Sequence, residues 1–219
     1  IFISMSGENV LKRIVETIAD HFHFKGINFT SFAMTSFSTV RDLYAHNESF
    51  LLIDIGGEVT DISLIKKNTL SESISYPIGS NFIIRGVASS LHSSLHEAKS
   101  FTSLLRDGHA SEATEKKLEL ILDKLKTDWL QKFQESLANL SHDISIPATI
   151  YLTVDKDLAD LFCKTIENEQ FNQYTLTESK FRIILLSAEI FQKKAIFETG
   201  VMRDPSLIVD SIYINRFLK

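Results

Sequence analysis

Three consecutive strands are predicted by one short segment, residues 50–78, which reads "FLLIDIGGEVTDISLIKKNTLSESISYPI". Its first part is a continuous apolar run, as in a strand buried on both faces. Apolar and polar residues then alternate roughly every second position through two further stretches. Because these runs follow one another with only short turns, we expect them to pair as an antiparallel meander.

Two long helices are predicted directly after the meander, over 80–106 and 111–140. The second carries a single apolar stripe at helical spacing. The members of the stripe are Leu118, Ile121, Leu122, Leu125, Trp129, Phe133, Leu137 and Leu140. We expect both helices to pack on the sheet that the meander begins, although the stripe would also suit a partner-binding coiled coil.

Strands and helices alternate through most of the remaining chain, which predicts an α/β fold. Upstream of the meander the pattern predicts a strand, a helix, a strand and a helix. Downstream it predicts a strand, a helix, a strand and a final helix that starts at Asp204-Pro205, a cap followed by proline in the first turn. The predicted ranges are strands 1–6, 26–32, 147–154 and 181–187, and helices 8–23, 33–47, 156–168 and 205–218.

Charge and cysteine content exclude some classes of protein. The formal net charge is −5, and no helix or stretch is rich in Lys and Arg alone, which argues against a nucleic-acid surface. Cys163 is the only cysteine, so no disulfide forms within the chain. It lies in an apolar helical pattern typical of a buried small side chain. No uncharged apolar stretch approaches the length of a membrane span.

Gly56-Gly57 has two interpretations. A glycine pair between two strands forms a β-hairpin with no function of its own. The neighbouring residues favour a second interpretation, a loop that holds phosphate: Asp54 ends a buried strand, where a carboxylate is costly unless it is paired or metal-linked. Thr60 begins the return strand, and Gly79 opens the following helix.

This order of elements resembles the actin-like ATPase superfamily, and within it the FtsA/PilM group. There a strand ending in Asp-x-Gly, a turn and Thr-Asp on the return strand form the second phosphate loop, and "LLIDIGGEVTDISLI" is similar to it. The later stretch "YPIGSNFIIRGVASSL" resembles the Pro-x-Gly-Gly that opens the next helix, with Ser80 at the second glycine. The resemblance covers residues 1 to about 100 well and is looser from about 145 onward.

The resemblance implies a fold and a site. The fold is an actin-like ATPase (ribonuclease H-like) domain, a mixed sheet flanked by helices in a partial chain. Residues 1–50 would end the first actin-like lobe, and 51–219 would form the second lobe with a helical insertion at about 107–145. Its cofactors would be ATP and Mg²⁺: the site residues are Asp54 as the catalytic, magnesium-side acid, with Gly56, Gly57, Thr60 and Gly79 at the nucleotide.

Other parts of the family's nucleotide site are altered. The adenosine-contacting Glu and Lys, one helical turn apart in the family, correspond here to Glu97 and Lys99, which are two apart and point to different faces. The family's late Gly-Gly is replaced by residues 154–156, Val-Asp-Lys. The first phosphate loop, another Asp-x-Gly, is expected upstream of Ile1.

Two functions follow from the resemblance, and the sequence leaves both open. The first is a scaffold in cell division or type IV pilus assembly, cytoplasmic or peripheral at the inner membrane, which binds protein partners or itself and has a degenerate ATP site. The alternative is an active actin-like ATPase that hydrolyses Mg-ATP. The altered adenosine contacts favour the scaffold. A third interpretation is an α/β domain whose Gly-Gly is only a hairpin.

Overall fold

The structure is a computed structural model that describes residues 3, 5–23, 26–140, 146–168, 180–192, 194–201 and 203–216. The strands in this part of the chain are β1 (Phe50–Ile55), β2 (Thr60–Lys66), β3 (Thr69–Tyr76), β4 (Thr149–Val154) and β5 (Arg182–Leu185). The helices are α1 (Glu8–His21), α2 (Phe32–Leu43), α3 (Ser80–Leu91), α4 (Leu95–Arg106), α5 (Glu112–Leu140), α6 (Ala159–Asn168), α7 (Ala188–Phe191) and α8 (Pro205–Ile214).

The strands form one mixed sheet in the order β3-β2-β1-β4-β5. The meander prediction is confirmed, because β1 pairs antiparallel with β2, and β2 with β3. The other half of the sheet is parallel, β1 with β4 and β4 with β5. Ile55 pairs with Val154, so β1 and β4 end at the same edge of the sheet, the one that carries the Gly56-Gly57 turn.

Each face of the sheet has its own hydrophobic core. Leu51, Ile53 and Ile55 of β1 point to the face covered by α3, α5 and α6. Phe50 and Leu52 point to the opposite face, where α2, α7 and α8 pack. This alternation on β1 follows from the two-residue period of a strand, and burial on both faces explains its continuous apolar sequence.

Helix α5 packs on the sheet, as predicted. Its apolar stripe is buried in the first core, with Trp129, Phe133 and Leu137 fully enclosed. The Trp129 ring stacks on Phe133 with 5.1 Å between the centroids. Across the described residues, no helix combines the length and the apolarity that a membrane span requires.

The helix predicted over 80–106 is two helices, so this prediction is wrong in one respect. Helix α3 ends at Leu91, and the φ of the next residue, His92, is 52°, in the left-handed region. Two residues later, Ser94 and Glu97 form a capping box that starts α4. Apolar residues continue at helical spacing across the break between α3 and α4, so this spacing alone did not indicate two helices.

His92→Gly is expected to stabilise the chain by about 0.5–1 kcal/mol, because glycine adopts positive φ without the steric cost that histidine has there. Urea denaturation of both proteins measures the difference. His96→Gly, the same exchange inside α4, is the control and should destabilise instead. Equal destabilisation by both exchanges would show that the His92 backbone is not strained.

The N-terminal region also departs from the prediction. No strand forms at 26–32, where the backbone is unpaired until Ser31 caps α2. The described residues of the strand predicted at 1–6, Ile3 and 5–6, are not in a strand either, while residues 1, 2 and 4 lie outside the described part. A strand needs a partner, and none of the described strands pairs with these segments.

Helices α1 and α2 differ in their contacts. Helix α2 packs against α8 and β1 in the second core. Helix α1 buries no residue, and its apolar side chains Val10 and Ile14 are 56% and 41% exposed. The lobe division at residue 50 and the insertion at 107–145 stay predictions.

Candidate functional site

Asp54 lies near the carboxyl end of β1, directly opposite Asp61 on β2. It is on the sheet face that α8 covers, and α8 brings Asp204 and Asp210 near it. Burial raises the pKa of Asp54 to about 7, and repulsion from Asp61, Asp204 and Asp210 adds to the shift. The carboxyl group is therefore only partly ionised at neutral pH, and a cation at this point would favour the ionised form.

The turn after β1 spans residues 56–59 and is closed by a hydrogen bond from the Gly56 N–H to the Val59 carbonyl, 2.9 Å. Two-residue hairpin turns require positive φ in their glycines. Positive φ occurs at Gly108 and Gly200, but at neither Gly56 nor Gly57. The simple hairpin interpretation therefore does not explain why both positions are glycine.

Three successive N–H groups of the turn have no acceptor among the described residues: those of Gly57, Glu58 and Val59. All three residues are exposed. Successive exposed N–H groups in a turn can together bind an anion. The geometry at this edge of the sheet thus suits the phosphate oxygens that the sequence motif predicts.

Gly79 holds the start of α3 against this turn. A Cβ atom at Gly79 would lie 2.3 Å from the Gly56 carbonyl oxygen and 2.6 Å from that of Gly57. The close approach lets the N–H groups of Ser80 and Asn81 donate to the same two oxygens, each at 2.8 Å. The first N–H groups of α3 are therefore satisfied by the turn itself.

Thr60 faces the first core and is fully buried. Its hydroxyl donates to the Ile78 carbonyl at 2.7 Å and accepts from the Trp129 indole N–H at 3.3 Å. This side chain therefore links β2 to the segment before α3 and to α5. Its contact with phosphate stays a prediction. The role of Trp129 was missed, because its place in the α5 stripe explained it as core alone.

Glu58 makes contacts that the sequence analysis did not consider. Its carboxylate accepts two hydrogen bonds from the Arg85 guanidinium, at 2.7 and 2.8 Å, and one from the Asn81 amide at 3.0 Å. These bonds hold the pKa of Glu58 well below its usual range. The only sequence signal was a glutamate directly after two glycines in a proposed anion-binding turn.

The end of β4 adds further negative charge at this edge. Asp155 follows Val154, the residue that pairs with Ile55, and its carboxylate accepts from the Asp157 N–H at 2.9 Å. The helix predicted to start at residue 156 starts at Ala159 instead, four residues after Asp155. Arg106, at the end of α4, donates to both Asp107 and Asp157.

The two candidate adenosine residues do not act together. The Glu97 carboxylate accepts from the Ser94 N–H at 2.8 Å and completes the capping box of α4. Lys99 is exposed two residues further along the same helix. The altered adenosine contacts stay a prediction.

Among the described residues, the protein does not offer a complete set of metal ligands. No group of three or more His, Cys, Asp or Glu side chains with metal-binding geometry exists within the described ranges. Mg²⁺ commonly uses one or two carboxylates together with water and the phosphates of a nucleotide. Asp54 fits that role as the single acid at the end of β1, provided that phosphate is bound too.

Comparison with known proteins places these features in a family. The family model described as "Cell division protein FtsA" matches residues 51–173. No curated protein matches the sequence.

Several solved structures share the fold. A chain of the "PilM-PilN type IV pilus biogenesis complex" superposes with a TM-score of 0.61 at 16% identity, over 88% of this chain and 53% of that one. MreB 5 of Spiroplasma citri bound to AMPPNP gives 0.53 at 14% identity, over 98% and 67%. Ta0583, an archaeal actin homolog, gives 0.51 at 9%, over 85% and 55%. The chain thus spans about half the length of the PilM chain, and the expectation of an actin-like fold is confirmed.

Proposed function

The chain belongs to the FtsA family of actin-like proteins, and from that premise we propose that it is a scaffold whose ATP site is degenerate. In this proposal it binds protein partners at the cytoplasmic face of the inner membrane, in cell division or in type IV pilus assembly. It acts through its surfaces rather than through hydrolysis. The division into a first lobe ending at residue 50 and a second lobe over 51–219 is part of the proposal.

The negative charge around the candidate phosphate loop is the observation that supports this proposal. Glu58 lies on the loop itself, Asp54 and Asp155 flank it, and the cations Arg85 and Arg106 are already paired with carboxylates. A nucleoside triphosphate brings several negative charges to this edge. Repulsion at short range therefore opposes binding, and the altered adenosine contacts do not offset it.

The loop nevertheless keeps the parts that a nucleotide would use. The free N–H groups of residues 57–59 would contact phosphate oxygens, and Asp54 would hold Mg²⁺ through water. Bound there, Mg²⁺ would supply neutralisation of the phosphate charge. These features support the alternative, an active actin-like ATPase, in which Asp54 would be the catalytic acid residue.

Partner binding is the other part of the proposal. The PilM structure that shares this fold is part of a complex with PilN. A PilN-like protein is one candidate partner here, and a second copy of this chain is another. The apolar side of α1 is exposed, and α1 makes no extensive contact with any other described element.

Titration of the protein with Mg-ATP tests the degenerate site. We expect a dissociation constant of about 1 mM or weaker, because loss of two adenosine-contacting elements removes about 1.5–3 kcal/mol each. Isothermal titration calorimetry measures it, beside Asp54→Ala and, as a matched exchange on the exposed face of α5, Asp128→Ala. Tight magnesium-dependent binding that Asp54→Ala alone abolishes would refute the proposal and support the ATPase.

A further inference from the structure

Glu58 connects the candidate phosphate loop to α3. Its Oε1 accepts from Arg85 and Asn81, and its Oε2 accepts from Arg85. Arg85 lies in the second turn of α3, and Asn81 in the first. A carboxylate held by a guanidinium fork and an amide beside a helix N-terminus is bound as an external anion would be bound.

The Glu58 carboxylate and the free N–H groups of residues 57–59 belong to the same four-residue turn. Arg85 and Asn81 are the side chains of α3 that donate to the Glu58 carboxylate, while the Ser80 hydroxyl donates to the Gly56 carbonyl at 3.1 Å. A phosphate group at the turn would need donors of this kind, and Glu58 already uses them. The negative charge of Glu58 would also lie close enough to a phosphate at the turn to repel it.

We propose that Glu58 is the residue that determines anion specificity at this loop: its carboxylate takes the place of a terminal phosphate and excludes the phosphates of a nucleotide. The inference rests on the proposed function and gives the degenerate site a specific cause. The ligand class excluded is a phosphate-bearing anion, with nucleoside triphosphates and inorganic pyrophosphate as its two representatives. When the carboxylate is absent, Arg85 and Asn81 are available to that anion.

Glu58 and Arg85 can be substituted without loss of the fold. The Glu58 and Arg85 side chains are 61% and 52% exposed, so neither contributes to a core. Exposed ion pairs of this kind contribute little to stability. Glu58→Gln keeps the size of the side chain and removes its charge.

Calorimetric titration with magnesium pyrophosphate and with Mg-ATP tests the inference. We expect Glu58→Gln to bind both probes at least about tenfold more tightly than wild type. Glu119→Gln, the same exchange on the exposed face of α5, is the control and should change neither affinity. Circular dichroism and thermal melting confirm that both variants are folded.

A second exchange tests the mechanism. Arg85→Gln added to Glu58→Gln should remove the gain, because the freed guanidinium is the group that binds phosphate. An equal gain in Glu119→Gln would show a general charge effect and overturn the inference, and so would a gain with Mg-ATP but not with pyrophosphate.

The outcomes separate this inference from the proposed function. Weak binding in wild type and in Glu58→Gln alike overturns the role of Glu58 and leaves the degenerate site standing. Tight Mg-ATP binding by wild type overturns both.

Discussion

Gly79→Ala is expected to destabilise the chain by about 3 kcal/mol or more, because the new methyl group would overlap the backbone of the candidate phosphate loop. The added Cβ would lie 2.3 Å from the Gly56 carbonyl oxygen and 2.6 Å from the Gly57 carbonyl oxygen. Both oxygens accept hydrogen bonds from the start of α3, from Ser80 and Asn81. The overlap can be relieved only if α3 moves away from the turn and those bonds break.

Urea denaturation followed by circular dichroism measures this loss as a lower midpoint with a similar slope. Gly26→Ala is the matched control, because a Cβ there meets nothing within 4 Å and the φ of Gly26 is not positive. The control should change the free energy of unfolding by no more than about 0.5 kcal/mol. Equal midpoints for Gly79→Ala and wild type would contradict the close contact between the turn and α3.

Asp54→Asn is expected to raise the free energy of unfolding at pH 8 by about 2–4 kcal/mol and to raise it by clearly less at pH 5. The carboxylate is costly where it lies, since burial and the acids Asp61, Asp204 and Asp210 raise its pKa to about 7 from 3.8. Asparagine has nearly the same shape and no charge. It therefore removes the cost that the ionised carboxylate imposes at high pH.

The direction of this pH dependence follows from proton binding to Asp54. Between about pH 3.8 and 7 the folded protein holds a proton on Asp54 that the unfolded chain has lost. The contribution of this proton to stability is fully present below about pH 3.8, and it is lost as the pH rises through about 7. Denaturation at pH 5, 6, 7 and 8 should show the wild-type stability falling relative to the variant. Asp128→Asn, on the exposed face of α5, should follow wild type throughout, and parallel curves for Asp54→Asn would contradict the raised pKa.

The nucleotide-loop hypothesis required both sequence and structure. The motif from Asp54 to Thr60 identified the position of the loop from residue types alone. The structure then added a steric reason for glycine: a Cβ at Gly79 would lie 2.3 Å from the backbone of the loop, and one at Gly57 would lie 2.9 Å from the Asn81 side chain. It also revealed Glu58 bound to Arg85, a contact between residues 27 positions apart.

The spacing of apolar residues along the chain predicted the meander, the long helix α5 and the α/β class. This is possible because residues on one face of a strand recur every two positions, and those on one face of a helix recur about every 3.6 positions. Contacts between distant residues decided the rest. The segment 26–32 has a strand-like sequence but no partner among the described strands, and the break at His92 depends on one residue held in the left-handed region. The raised pKa of Asp54 likewise arises from burial, from Asp61 on β2 and from the acids that α8 brings to the end of β1. Charge and steric contact act across space, so only the tertiary structure showed which charged groups and backbone atoms surround the loop.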